Sequence, residues 1–254
     1  MNIAAVKQPT ILFKPQNTFR VRWSLYPDTP VPQEEAAGQN PPDGAMIDYY
    51  LADKASNVNL EILDAKGKLV RRYSSSDTLY KIPDINIPLY WIRPQQILSA
   101  DAGSHRFLWD MHYTPLNVPP AYPISAIYMN TAPDATSPWV MPGIYTAKFS
   151  ADGKTYTQSF EVKMDPRVKT GKKDLQLQHD LSVACYNNIL KCKKALEVIA
   201  DKTSANATEL SKYESSFGRI HNSLQDSDWA PTTQMIKAVK ETVQAFNKFY
   251  STLK

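Results

Sequence analysis

Very little in this 254-residue chain points to chemistry, and several absences narrow what it can be. There are only two cysteines, Cys185 and Cys192. Seven residues apart on one helix, they are separated by about 10.5 Å of axial rise. A disulfide spans Cα separations of only about 7 Å at most, so the two cannot pair while that helix is intact. They read as small apolar core residues, since the nearest histidine, His179, is not on a metal-ligand spacing. No run of 18 apolar residues occurs, so the chain is not expected to span a membrane. The N-terminal MNIAAVKQPTILF lacks the charged-then-apolar layout of a signal peptide, which leaves a cytoplasmic chain or a piece of a longer precursor. No Gly-rich phosphate loop, no G-x-S-x-G elbow and no internal repeat is present.

Excess charge is scarce too. Lys and Arg total 29 against 25 Asp and Glu, a balance of +4. Residues 1–164 hold 15 of each sign, and residues 165–254 hold 14 against 10. A mildly basic C-terminal part is far from the dense stripe of a nucleic-acid binder, and no nucleic-acid partner is expected.

Proline is missing from one part of the chain only. Eighteen of the 19 prolines lie at or before Pro166, and Pro231 is the exception. The first part is therefore strand- and loop-rich, and the last 88 residues are free to be helical. Within the first part, alternation of apolar and polar residues predicts strands at Ala45–Leu51, Val58–Leu63, Leu69–Tyr73 and His105–Asp110, with a shorter one around Phe19, Val21 and Trp23. Ile144–Ser150 and Tyr156–Val162 flank Asp152-Gly153, a strong tight-turn signal for a hairpin. The proline-rich stretches 74–104 and 112–142 read as long connections. The expectation is an all-β, immunoglobulin-like sandwich over 44–165, preceded by an irregular segment 1–43.

Three apolar seams follow. Leu181, Cys185, Ile189, Cys192, Leu196 and Ile199 form the first, and Leu210, Tyr213, Phe217, Ile220 and Leu224 the second. Ile236, Val239, Val243, Phe246, Tyr250 and Leu253 form the third. Gaps of three and four mark one face of each helix, and short connections predict an antiparallel three-helix bundle over 166–254. Pro231 suits the first turn of the last helix, and the sequon Asn206-Ala207-Thr208 is expected in an inter-helical loop.

Several segments carry a family likeness: GQNPPDGAMIDYYL, VNLEILDAKGKLVRRYSS, YWIRP, GSHRFLWDMHY, PGIYTAKFSADGKTYTQSFEVKMDPRVKT and DWAPTTQ. Over roughly residues 10–254 the chain resembles the C-terminal region of secreted bacterial proteins with sortilin-like or BNR-repeat β-propellers, which are often labelled glycosyl hydrolase-like. The HRFLWD…PGIYT…DGK core is also similar to the Ig-like domain of the flagellar hook-capping protein. The resemblance implies a non-catalytic appendage in an extracytoplasmic protein, partnered by a β-propeller of the same or another chain or by an envelope protein. It implies no cofactor. Residues 1–43 resemble the exit from a last propeller blade. The propeller, where a hydrolase activity would reside, is not in this sequence, and no catalytic residues carry over.

Candidate chemistry is sparse. Asp48, Glu61, Asp64, Asp110 and Glu161 are the carboxylates that an acid/base pair would draw on, although turn and solvent-face roles explain several of them. His105, Asp110 and His112 cluster in sequence, but His105 and Asp110 fall on opposite faces of a regular strand. Trp109, alternating with Phe107, reads as core. Trp91 and Trp139, in proline-flanked loops, are the best candidates for exposed rings. With Tyr90 and Tyr113 they form the expected ligand set of a carbohydrate-binding module, the second functional reading. No metal site is expected.

Overall fold

The structure is a computed structural model that describes residues 9–22, 34, 36, 38, 42–79, 81–82, 88–92, 94–116 and 137–253; the side chain of Trp91 is not among them. Eight strands come first: β1 (Thr10–Leu12), β2 (Thr18–Arg20), β3 (Ala45–Leu51), β4 (Val58–Asp64), β5 (Leu69–Ser74), β6 (Gly103–Trp109), β7 (Gly143–Ala151) and β8 (Lys154–Met164). Three helices follow, α1 (Lys172–Val198), α2 (Ala205–Gln225) and α3 (Thr233–Tyr250). The chain divides into two compact units. One draws on Met1–Ala135 and Pro142–Asp165, the other on Thr136–Met141 and Pro166–Lys254.

The sheet unit holds a three-stranded sheet in the order β1-β3-β6 and a five-stranded sheet in the order β2-β8-β7-β4-β5. Alternation along β3 buries Ala45, Ile47, Tyr49 and Leu51. Along β4 it buries Val58, Leu60 and Ile62, and along β7 Tyr145, Ala147, Phe149 and Ala151. Period-two patterning thus sets one apolar face per strand. The β7–β8 hairpin turns on Asp152 and Gly153, with φ of 46° and 77°, the paired positive values of a tight primed turn. Asp152 is further held by the amide and hydroxyl of Ser56, at 2.9 and 2.7 Å.

The expected fold class is corrected here. In place of an immunoglobulin-like sandwich followed by a helical bundle, the chain is a mixed α/β protein with a sheet-rich unit and three helices. The five-stranded sheet is itself mixed, because β2 runs parallel to β8, with Thr18 opposite Val162 and Arg20 opposite Met164. Residues 10–20 supply an edge strand to each sheet. Alternation tells which face of a strand is buried but not which strand lies beside it, so this pairing left no trace in the pattern. Val21 lies outside β2, and Trp23 lies outside the described residues.

In the helical unit, α1 and α2 run antiparallel: Gln178 near the start of α1 reaches Leu224 near the end of α2. Rings join α2 to α3, Tyr213 to Phe246 at 5.4 Å and Phe217 to Phe246 at 5.5 Å. The seams contribute the buried Leu181, Cys185, Ile189, Cys192, Leu210, Phe217, Leu224, Val239 and Phe246, and Leu175, Tyr186 and Ala207 are buried outside them. Ser204 and Thr232 cap α2 and α3 through their side chains. Two local expectations shift. Pro231 precedes the Thr232 cap instead of opening the helix, and Asn206 lies exposed in the first turn of α2 instead of in a loop.

Among the glycines, Gly44 has the least room. Its φ is 121°, and a Cβ there would stand 2.5 Å from the carbonyl oxygen of Trp109. Gly44→Ala should therefore cost more than about 2 kcal/mol from strain and displacement. Gly143→Ala, with nothing within 4 Å of the added carbon, should stay within about 0.5 kcal/mol of the parent. Urea unfolding midpoints compare the two.

Candidate functional site

The polar cluster best defined by geometry forms where β6 ends. Met111 takes a φ of 60°, a left-handed turn that redirects the chain after Asp110. The Asp110 carboxylate accepts from the His112 amide at 3.0 Å, closing that turn. Arg71 on β5 donates through Nη1 to both Asp110 oxygens, at 3.2 and 3.0 Å, and to the Tyr113 carbonyl at 3.1 Å. The indole N–H of Trp109 donates to the His112 carbonyl at 3.1 Å. Arg71 and Tyr73 are two residues apart and share a strand face, which places the guanidinium carbon 4.8 Å from the Tyr73 ring centre. Burial pushes the Tyr73 hydroxyl well above its ordinary pKa. The Asp110 charge adds to that shift and Arg71 opposes it.

This cluster fastens a turn. The Nη1 group that approaches Asp110 is already shared among three acceptors, and Asp110 is occupied by Arg71 and a backbone amide. The pair was not legible beforehand, because Arg71 and Asp110 are 39 residues apart and belong to no motif.

The other candidate carboxylates are also committed to partners. Asp48 accepts two bonds of 2.8 Å from Arg106, the residue directly opposite on β6. Glu61 meets Lys148, opposite on β7, at 2.8 Å. Such cross-strand pairs belong to the sheet surface. Asp64 accepts from the amides of Lys66 and Lys68 within its own turn, and Glu161 stands 3.6 Å from Lys163. His105 is turned to the Asp101 carbonyl at 2.7 Å and lies against the Tyr49 ring. His112 enters the turn through its backbone. Among the described residues no group of three or more His, Cys, Asp or Glu side chains could hold a metal ion.

The four aromatic candidates have different settings. Tyr90 stands on a one-turn 3-10 helix, Leu89–Trp91, and is 64% exposed. Trp91 closes that turn, and its side chain lies outside the described residues. Tyr113 is half-buried at the Arg71 cluster and helps raise the pKa of Tyr145, behind the larger effect of burial. Trp139 is half-buried and belongs to the helical unit, where its amide donates to Gln225. The structure thus places Tyr90 and Tyr113 in one unit and Trp139 in the other. Trp109 is fully buried.

No family model and no curated protein matches this chain. Among solved structures, the crystal structure of CopC from Methylosinus trichosporium OB3b aligns with 48% of this chain and 79% of that one, at 12% identity. The TM-score is 0.23, too low to carry an argument about fold or function.

Two predictions follow from these environments. Arg71 is only 14% exposed, so Arg71→Met should cost about 1–3 kcal/mol in chemical unfolding. Arg106→Met, on an open sheet face, should cost less than about 1 kcal/mol. Burial pushes both the Cys185 and Cys192 thiols up to about 12, with the Glu214 charge adding to the second. Since the thiolate is the reactive form, neither should react with a disulfide reagent at pH 8 in the native chain. Two equivalents should react in guanidinium.

Proposed function

We propose that the chain is a non-catalytic structural and interaction module, the C-terminal appendage of a secreted, extracytoplasmic β-propeller protein, and that it supplies surface to that propeller or to an envelope partner. The observation that carries the reading is the adjacent pair Leu89 and Tyr90, each 64% exposed on the connection between β5 and β6. Leu79 and Ile97 on the same connection are exposed as well. Large apolar side chains held in water on one connection favour a contact made with another surface. The carboxylates that a glycosidase would need are engaged by Arg71, Arg106 and Lys148, which favours support of the fold over catalysis. Among the described residues no helix is long and apolar enough to cross a membrane.

Carbohydrate binding is the second reading, and it is favoured by Tyr90 alone: an exposed ring two residues after Pro88 has the stacking face that a sugar uses. One variant separates the two. Leu89→Ser/Tyr90→Ser should weaken binding to the propeller domain of the parent protein at least tenfold in calorimetric titration, with an unchanged melting temperature. Failure of the parent chain to bind the propeller, together with glycan retention lost only in Tyr90→Ala, would overturn the first reading in favour of the second.

A further inference from the structure

Residues 137–141, Ser-Pro-Trp-Val-Met, lie between β6 and β7 in sequence yet belong to the helical unit in space. Ser137 is 1% exposed, Pro138 is buried and Val140 is fully buried. Trp139 and Met141 are half-buried. The backbone of this segment is read by a side chain: the Trp139 amide donates to Gln225 Oε1 at 2.9 Å. Gln225 ends α2 and is itself fixed, since its Nε2 donates to Ser182 Oγ on α1 at 2.8 Å. Ser182 Oγ spends its proton on the Gln178 carbonyl at 2.8 Å, so it can only accept from Gln225. That settles the amide orientation and leaves Oε1 facing the segment. Gln178 completes the arrangement, donating to the Leu224 carbonyl, which the end of α2 leaves without a helical partner, and to the Ser227 carbonyl just beyond the helix.

We propose that the helical unit is a receptor for an extended peptide and that the chain occupies this receptor with its own residues Ser137–Met141. Gln225 is the recognition residue, and Ser182 and Gln178 position it. A side-chain amide held in advance toward a peptide N–H is the arrangement that lowers the ordering cost of binding an extended segment. The chemistry selected is a small hydroxylated residue, proline, an aromatic and an aliphatic residue, presented with an extended backbone. Filled from within, the receptor is closed, and a partner segment of the same chemistry gains access by displacing the strap. The proposal stands apart from the propeller reading and survives its failure.

Amide hydrogen exchange on the full chain tests the hold. Gln225→Ala should speed exchange of the Trp139 amide roughly tenfold, the loss of about one hydrogen bond. It should also speed α1 and α2 amides around Ser182 and Leu224 while leaving the β7–β8 amides unchanged. Gln225→Glu keeps an acceptor oxygen but loses the N–H that Ser182 holds, so it should slow exchange at Trp139 only part of the way back. Unchanged exchange at Trp139 in Gln225→Ala, or acceleration confined to that one amide, overturns the role of Gln225. A second arm tests the receptor. In the full chain with residues 137–141 replaced by Gly-Ser, a synthetic SPWVMPG peptide at millimolar concentration should raise the melting temperature. It should do so neither in the unaltered chain nor when Gln225→Ala is added. No rise in the replaced chain, with helices intact by circular dichroism, sinks the receptor. If the replaced chain loses its helices, the exchange arm decides.

Discussion

The sheet unit depends on aromatic rings that reach from one sheet to the other, and Trp109 is the centre of that contact. It stands on β6 in the three-stranded sheet, and its ring lies 5.4 Å from Tyr145 on β7 and 6.0 Å from Phe160 on β8, both in the five-stranded sheet. Tyr49 meets Phe149 at 4.6 Å and Phe107 meets Tyr73 at 4.5 Å, so β3 and β6 are joined to β7 and β5 in the same way. Each such pair contributes about 0.5–1.5 kcal/mol beyond its buried area, and together the pairs set how the two sheets face. Two of these rings place their polar ends on carbonyls. The Trp109 N–H finds the His112 carbonyl, and the Tyr49 hydroxyl finds the Ser99 carbonyl at 2.8 Å. The close approach of Gly44 to the Trp109 carbonyl follows from the same requirement, because Ala45 must lie directly opposite Trp109 for β3 to pair in register.

That requirement also explains how the charged residues are used. With the inner faces given to rings and aliphatics, acids and bases stay on outer faces and turns, where register places opposite signs across from one another: Asp48 with Arg106, Glu61 with Lys148. Two arginines depart from that rule: Arg20 on β2 is buried, and Arg71 is largely withdrawn from water. For Arg71 the Asp110 turn supplies the carboxylate and carbonyl that a withdrawn guanidinium needs. A strained left-handed residue, Met111, is tolerated there because three separate hydrogen-bonding groups over-determine the turn. Strain and a buried charge often mark catalytic centres, but here both are explained by the redirection of one chain segment.

What the sequence disclosed and what it hid follow from the range of the interactions. Six strands from β3 to β8 and the three helical seams were legible, because period and turn chemistry act within a few residues. Asp152-Gly153 and the burial of Trp109 are of this kind. The parallel β2–β8 pairing joins residues 144 apart, and no local pattern records it. β1 is three residues long, too short for alternation to register. The Arg71–Asp110 pair and the Gln225–Ser182–Gln178 arrangement are meetings of polar side chains whose partners are chosen by tertiary geometry alone. Proline content correctly excluded regular structure from 137–141, but it could not tell on which unit that irregular segment would come to rest.

The interleaving of the chain bears on how the helical unit is held. A helical tail that began at Pro166 would be joined to the rest through one peptide bond. Here the chain passes into the helical unit by 137–141, returns as the 24 residues from Pro142 to Asp165, and enters it again at Pro166. The β7–β8 hairpin is therefore flanked in sequence on both sides by residues of the helical unit. The ends of that segment are already held together by the β7–β8 pairing, which sets Gly143 opposite Val162, so the hairpin gains no freedom when the strap leaves. Release is opposed by the burial of Ser137 and Val140 and by the Trp139 bond to Gln225. On the proposed reading, that local hold decides whether a partner segment gains entry.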